Sequence, residues 1–283
     1  MKGILVHYLC TIALALAMPQ AIHSQEIPFS TNHANLTIWN GSEFVPFFIN
    51  GTNLGVAVPG TFPGELTANN KHYSKWFTSI KEAGLNCVRI YTLHPPRFYE
   101  VLDSFNLANP QHPLLFIQGV WLNELLPEHQ DDLYHLTDTF SVEIEENIDA
   151  VHGNRVIAKR RGKAYGTYST DVSKWCIAYI IGREVFPKEV LKTNKNHPEA
   201  RTFSGHHFSI RNSAATEVWF VSQLDDLVDY EYKNYSTQRP VSISSWPTLD
   251  PLAHPEEINR VEDTVALNLS EIVLTDAPAG LFM

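Results

Sequence analysis

The eight residues Leu114-Leu115-Phe116-Ile117-Gln118-Gly119-Val120-Trp121 form a near-continuous apolar run. A strand with one wet face would alternate. A run of this kind suits a parallel strand covered on both faces. Parallel neighbours need crossover connections, so such a chain must place helices between its strands. Further strands are expected at Asn86-Cys87-Val88-Arg89-Ile90-Tyr91, at Cys176-Ile177-Ala178-Tyr179-Ile180-Ile181-Gly182 and at Pro240-Val241-Ser242-Ile243-Ser244-Ser245. A first strand is expected near Phe47-Phe48-Ile49, before a Gly/Pro-rich loop that runs through Gly64.

Helical periodicity fills the intervals. Tyr73, Trp76, Phe77 and Ile80 stand at i, i+3, i+4 and i+7, one apolar stripe, and Gly84 is placed to end that helix. Phe98, Val101, Leu102 and Phe105 repeat the spacing after Pro95-Pro96. Further helices are expected around 138–151, carrying Ile144, Ile148 and Val151, and around 214–235, burying Val221, Leu224 and Val228. Strand and helix in alternation predict βαβ units and a parallel sheet. No Gly-x-Gly-x-x-Gly and no Walker pattern follows any strand, which weakens a doubly wound nucleotide-binding reading. The expected fold class is therefore α/β, a (β/α)8 barrel of TIM type. Five strands are placed by residue 245, and a sixth begins at Ala279-Gly280-Leu281-Phe282. The expectation is a barrel truncated after about five to six strands.

Residues 1–25 read as a secretory signal. Lys2 opens a mostly apolar stretch from Ile4 to Met18, and Ala15, Ala17, Ala21 and Ser24 offer cleavage sites. Residues 26–283 then form one domain, secreted or periplasmic. No later segment approaches the ~20 apolar residues of a membrane span. The net charge of −10 argues against a nucleic-acid partner. The one tight basic cluster, Lys159-Arg160-Arg161-Gly162-Lys163, reads as a solvated loop. Three cysteines exclude a disulfide scaffold, and Cys87 and Cys176 sit in apolar runs as small buried hydrophobes. His206-His207 is not a convincing metal pair, because neighbours on a strand face opposite ways and no third ligand has telling spacing. No metal and no cofactor is expected.

In a barrel, functional side chains gather at the carboxyl ends of the strands. Arg89, Tyr91 and His94 follow the second strand, and Trp121, Asn123 and Glu124 the third. Arg183 and Glu184 follow the fourth; Trp246, Asp250 and His254 follow the fifth. Carboxylates, an arginine and tryptophans on one rim suggest a sugar site. Indole faces stack on pyranose rings, and carboxylates perform the acid–base and nucleophilic steps of glycoside cleavage.

These segments carry a resemblance. Phe48-Ile49-Asn50-Gly51-Thr52-Asn53, Gly84-Leu85-Asn86-Cys87-Val88-Arg89-Ile90-Tyr91 and Tyr179-Ile180-Ile181-Gly182-Arg183-Glu184 resemble the first, second and fourth strands of retaining glycoside hydrolases of the large (β/α)8-barrel clan, which holds β-galactosidases, cellulases and fungal β-1,3-glucanosyltransferases. Tyr91-Thr92-Leu93-His94-Pro95-Pro96, Ile117-Gln118-Gly119-Val120-Trp121-Leu122 and Trp246-Pro247-Thr248-Leu249-Asp250-Pro251-Leu252 resemble signatures of one glycosidase subgroup. The resemblance spans residues 45–283. It implies hydrolysis or transglycosylation of a β-glucan-like polysaccharide, with Glu184 as acid/base and Arg89 near the nucleophile. Two departures accompany it. The clan places Asn before the acid/base, where this chain has Arg183. Its nucleophile is a glutamate after strand seven, for which this chain shows no counterpart. The chain is therefore expected to be inactive alone, with a non-catalytic sugar-binding protein or an unstable truncated product as the alternatives.

Each candidate has a plainer reading. Glu184 is a general acid/base in the protonated form that burial favours, or a surface carboxylate, or a partner of Arg183. Glu124 is a substrate contact or a surface carboxylate. Arg89 keeps a catalytic carboxylate ionised or forms a structural ion pair. Tyr91 lies on the same rim. His94 bonds a sugar hydroxyl or packs a loop; Trp121 and Trp246 stack on sugar or pack the rim. Asp250, before Pro251, contacts substrate or makes a turn.

Overall fold

The computed structural model describes residues 27–124, 132–256, 258 and 263–282. The leader expected at 1–25, with Cys10, lies outside them. The chain opens with an antiparallel sheet of β1 (Phe29–Asn32), β2 (Asn35–Trp39) and β3 (Phe44–Phe47). It then enters a parallel sheet whose five strands are β4 (Gly51–Asn53), β5 (Cys87–Ile90), β6 (Leu115–Trp121), β9 (Cys176–Gly182) and β12 (Val241–Ser244), side by side in that order. Between them run α1 (Asn70–Glu82), α2 (Pro96–Ala108), α3 (Thr137–Val151), the two-stranded β7 (Arg155–Ile157) and β8 (Gly166–Tyr168), α4 (Pro187–Asn196), β10 (Thr202–Ser204), β11 (Phe208–Arg211) and α5 (Ala215–Tyr235). A short β13 (Val273–Leu274) pairs with β11.

The apolar runs became the buried strands. Every residue of β6 but Trp121, and of β9 but Ile180, is buried. The polar exception in β6, Gln118, is fully satisfied. Tyr99 Oη donates to its Oε1 at 2.8 Å, and its Nε2 donates to Gly119 O and Asn147 Oδ1, each at 2.9 Å. Cys87 and Cys176 are buried free thiols, and burial pushes both up to about 12, so neither supplies a thiolate nucleophile.

Helix α1 follows its stripe. Tyr73 and Phe77 are buried, each worth roughly 1.5–3 kcal/mol against exposure. Asn69 caps the start: its Oδ1 accepts from His72 N–H while His72 Nδ1 accepts from Asn69 N–H. Helix α2 starts at Pro96, which has no amide to leave unpaired.

Two expectations on the strands change. Phe47 belongs to the antiparallel hairpin, and the first parallel strand lies later, at Gly51–Asn53. The reason is local: Asn86 Nδ2 donates to Phe48 O, and Asn86 Oδ1 accepts from Asn50 N–H, so 48–50 serves as the passage between sheets. The segment 279–282 forms a single parallel bridge, Leu281 against Val241 of β12.

The sheet is curled. Arg89 on β5 and Ser244 on β12 are three strand spacings apart, about 14 Å in a flat sheet. Yet Arg89 Nη2 lies 3.4 Å from Ser244 Oγ. The two side chains meet across a concave face, and the ends of the strands form a rim around it. A parallel five-stranded sheet in a mixed α/β fold is what the chain shows; the barrel stays an expectation. Among the described residues no helix is long and apolar enough to cross a membrane.

Candidate functional site

The strand register builds the rim. Trp121 on β6 pairs with Gly182 on β9, and Gly182 pairs with Ser244 on β12. Three strand ends are thus level, and the middle one has no side chain. Gly182 takes φ +91°, where L side chains are strained, and a Cβ there would press on Phe220 at 3.0 Å. Glycine there lets β9 lie close against Phe220 of α5. At the carboxyl ends of the strands lies a cleft of about 1110 Å³. Its walls are the loop 54–66, the segment Tyr91 to His94, the end of β6 with Trp121, Asn123 and Glu124, the loop 161–164, Glu184 and Ser244.

Five of the eight residues singled out from the sequence line this cleft: Tyr91, His94, Trp121, Glu124 and Glu184. Glu124 and Glu184 are both exposed. The burial expected around Glu184 is therefore absent from the free chain. Of its two plainer readings, partner of Arg183 is displaced, while a surface carboxylate fits the exposure. Arg183 is 2% exposed and turns inward to Glu189 of α4, with Nη1 to Oε2 at 2.9 Å and Nη2 to Oε1 at 2.6 Å. Its side chain is thus spent inside the fold and does not face a sugar.

Arg89 lies under the rim, half-buried, its guanidinium 4.7 Å from the Tyr91 ring centre. Its Nε is buried without a hydrogen-bond partner, and no carboxylate among the described residues pairs with it. The structural ion pair weighed for it is not formed there. His94 is 1% exposed, and burial pushes its imidazole down to about 3, so it is neutral at ordinary pH. It shares a hydrogen bond with Tyr73 Oη at 3.1 Å through Nδ1, and its carbonyl accepts from Tyr168 Oη at 2.8 Å. It therefore acts as packed wall more than as a solvent-facing donor.

Trp246 and Asp250 stand apart from the cleft walls. Trp246 packs edge-on against Phe186 at 5.1 Å. Asp250 Oδ1 accepts from Leu252 N–H at 2.9 Å, the turn use of such a residue, with His254 3.6 Å from its other oxygen.

The basic cluster is only in part a solvated loop. Arg160 Nη1 reaches Glu146 at 2.6 Å and Glu143 at 3.3 Å, and Lys163 Nζ reaches Glu143 at 2.6 Å, all carboxylates of α3. These pairs hold the loop against α3 and leave Arg161 exposed at the cleft mouth. Arg161 and Ser244 are wall residues that sequence reasoning did not assign to a site. Their signals were a basic run and a strand end.

His206 and His207 lie in the turn between β10 and β11, not on a strand as expected, and one carboxylate draws both. Asp229 Oδ1 is 3.2 Å from His206 Nδ1 and 3.7 Å from His207 Nε2. Among the described residues no group of three His, Cys, Asp or Glu side chains is arranged to hold a metal ion.

No family model and no curated protein matches the chain. Solved structures with some likeness include a glycosyl hydrolase family 2 member from Bacteroides cellulosilyticus, at 11% identity and TM-score 0.34, over 70% of this chain and 19% of that one. A β-D-mannosidase from Dictyoglomus thermophilum is similar at 15% identity and TM-score 0.38, over 80% of this chain and 22% of that one. The chain thus spans about a fifth of the length of these two.

Proposed function

We propose that the cleft binds a β-glucan-like glycan in a secreted glycoside hydrolase or transglycosidase, with Glu184 as the proton donor of a retaining mechanism. One observation carries this reading: an exposed carboxylate, an indole and a phenol stand together on the carboxyl rim of a curled parallel sheet. Trp121 and Tyr91 offer ring faces to a pyranose, and Glu184 reaches the glycosidic oxygen. Glu184 then gives its proton to the leaving oxygen as a second carboxylate, one that the sequence does not announce, attacks the anomeric carbon. In the second half, Glu184 takes a proton from water or an acceptor hydroxyl, whose oxygen displaces that carboxylate.

Arg89 favours a second reading. Its guanidinium meets no carboxylate among the described residues, and a retaining site needs a second carboxylate ~5–5.5 Å from the first. A groove that binds sugar without cleaving it fits that arrangement. The test is the chain assayed on laminarin and cello-oligosaccharides. Turnover that falls about 10²–10⁴-fold in Glu184→Gln would establish catalysis and show that the chain supplies the second carboxylate, against the expected inactivity. Binding alone predicts no turnover and an affinity lost in Trp121→Ala. Turnover indifferent to Glu184→Gln removes Glu184 from the chemistry.

A further inference from the structure

We infer that Arg183 and Glu189 are positioning residues, whose buried ion pair clamps the turn that presents Glu184 to the cleft. The inference rests on Glu184 being the proton donor. The turn runs from Gly182, the last residue of β9, to Glu189 in the first turn of α4. Within Ile181 to Pro187 only Glu184 is exposed. Its neighbours on either side are anchored: Arg183 is 2% exposed and Val185 fully buried. Phe186 packs against Trp246.

One carboxylate holds the turn at two places. Both Glu189 oxygens accept from the Arg183 guanidinium, in the two-pronged geometry that fixes orientation as well as distance. Glu189 Oε2 also accepts from Phe186 N–H at 2.9 Å. Arg183 Nη1 further lies 3.5 Å from the Glu184 carbonyl. A ring therefore closes from the Arg183 side chain through Glu189 to the Phe186 amide. The residues enclosed are Glu184 and Val185.

Stability is a poor account of this pair. Buried ion pairs are often matched or bettered by apolar residues of similar volume. This one also leaves Arg183 Nε buried without a hydrogen bond, an uncompensated cost. What the pair supplies is geometry. A displacement of about 1 Å in a reacting group can cost about 10²-fold in rate.

The experiment separates position from structure by leaving group. Phenyl β-cellobioside needs a proton on its departing oxygen; 2,4-dinitrophenyl β-cellobioside does not. The double variant Arg183→Met/Glu189→Leu removes the clamp without stranding a buried charge. Glu189→Gln keeps the shape and loses the charge, and serves if the double variant does not fold. Expected is a loss of about 10²-fold in kcat/KM on the phenyl glycoside, with less than threefold on the dinitrophenyl glycoside. Arg183→Lys should fall between. Equal losses on both substrates, or none, while Glu184→Gln shows the split, overturn the clamp and leave Glu184 standing. If Glu184→Gln shows no split, or the unaltered chain turns over neither substrate, the proton-donor reading fails and the clamp with it.

Discussion

His94 turns burial into a pH dependence. Its folded imidazole titrates near 3 because water is excluded around it, while an unfolded histidine titrates near 6.5. Between those values the unfolded chain binds the extra proton. Stability therefore falls as pH falls through that window and is fully present above 6.5. From pH 7 to pH 4.5 the loss from this one group is about 3 kcal/mol. Urea unfolding at the two pH values should show that increment in the unaltered chain and not in His94→Asn. An equal fall in both would mean that other groups govern the acid limb. The residue scale also marks where sequence stops informing. That Glu184 follows an apolar strand was legible, and so was its proximity to Trp121 and Tyr91. That Arg183 turns inward was not, because its partner Glu189 lies in α4, a helix no apolar stripe announced.

At the scale of elements, the long apolar runs were legible because full burial leaves so few other uses for them. Helix α4 was missed because its sequence, Pro-Lys-Glu-Val-Leu-Lys-Thr-Asn-Lys-Asn, buries one side only through Pro187, Glu189, Val190 and Thr193. Two of those four are polar, so periodicity of apolar residues cannot find it. The short hairpin β10–β11 was missed for a related reason: its strands are three and four residues long and mostly polar or half-exposed. Within the readable strands, packing adds what pattern does not. Gly119 sits where β6 runs beside the end of β5, and a Cβ there would overlap the backbone carbonyls of Ile90 and Tyr91. Backbone cannot swing aside as a side chain can. Gly119→Ala should cost about 3 kcal/mol or more. Gly55 is the matched control, since a Cβ there meets nothing within 4 Å, and Gly55→Ala should stay within about 0.5 kcal/mol. Equal midpoints in urea for the two variants would show that β5 and β6 separate without cost.

For the whole molecule, the question is what holds the curl of the sheet. Arg89 touching Ser244 shows that β12 is bent back toward β5, and among the described residues β12 is an edge strand of the sheet. Exposed edges invite pairing with other chains. The segment 278–282 pairs with the first residue of this one. Val241 N–H donates to Gly280 O at 3.2 Å, and Phe282 N–H donates to Val241 O at 3.1 Å. The N-terminal hairpin holds that segment in turn. Thr31 N–H donates to Ala279 O at 2.9 Å, and Ser30 Oγ donates to Pro278 O at 2.7 Å. Two stretches some 250 residues apart in the chain thus meet at the start of one edge. Gly280 is where they fit together. It takes φ +88°, and any Cβ there would overlap Thr31 Oγ1. Gly280→Ala should therefore lift the segment while leaving the centre of the sheet intact. Amide exchange should quicken about 10-fold or more at Thr31, Val241 and Phe282, the 10-fold step corresponding to about 1.4 kcal/mol of local opening. Amides of β6 and β9 should keep their protection, because their partners lie on both sides within the sheet. Light scattering should rise with protein concentration in the variant, as an uncovered edge pairs between copies. Unchanged exchange at Val241 would mean that the edge is closed without the segment. Uniform quickening throughout β6 and β9 would mean that the segment and the sheet open as one unit.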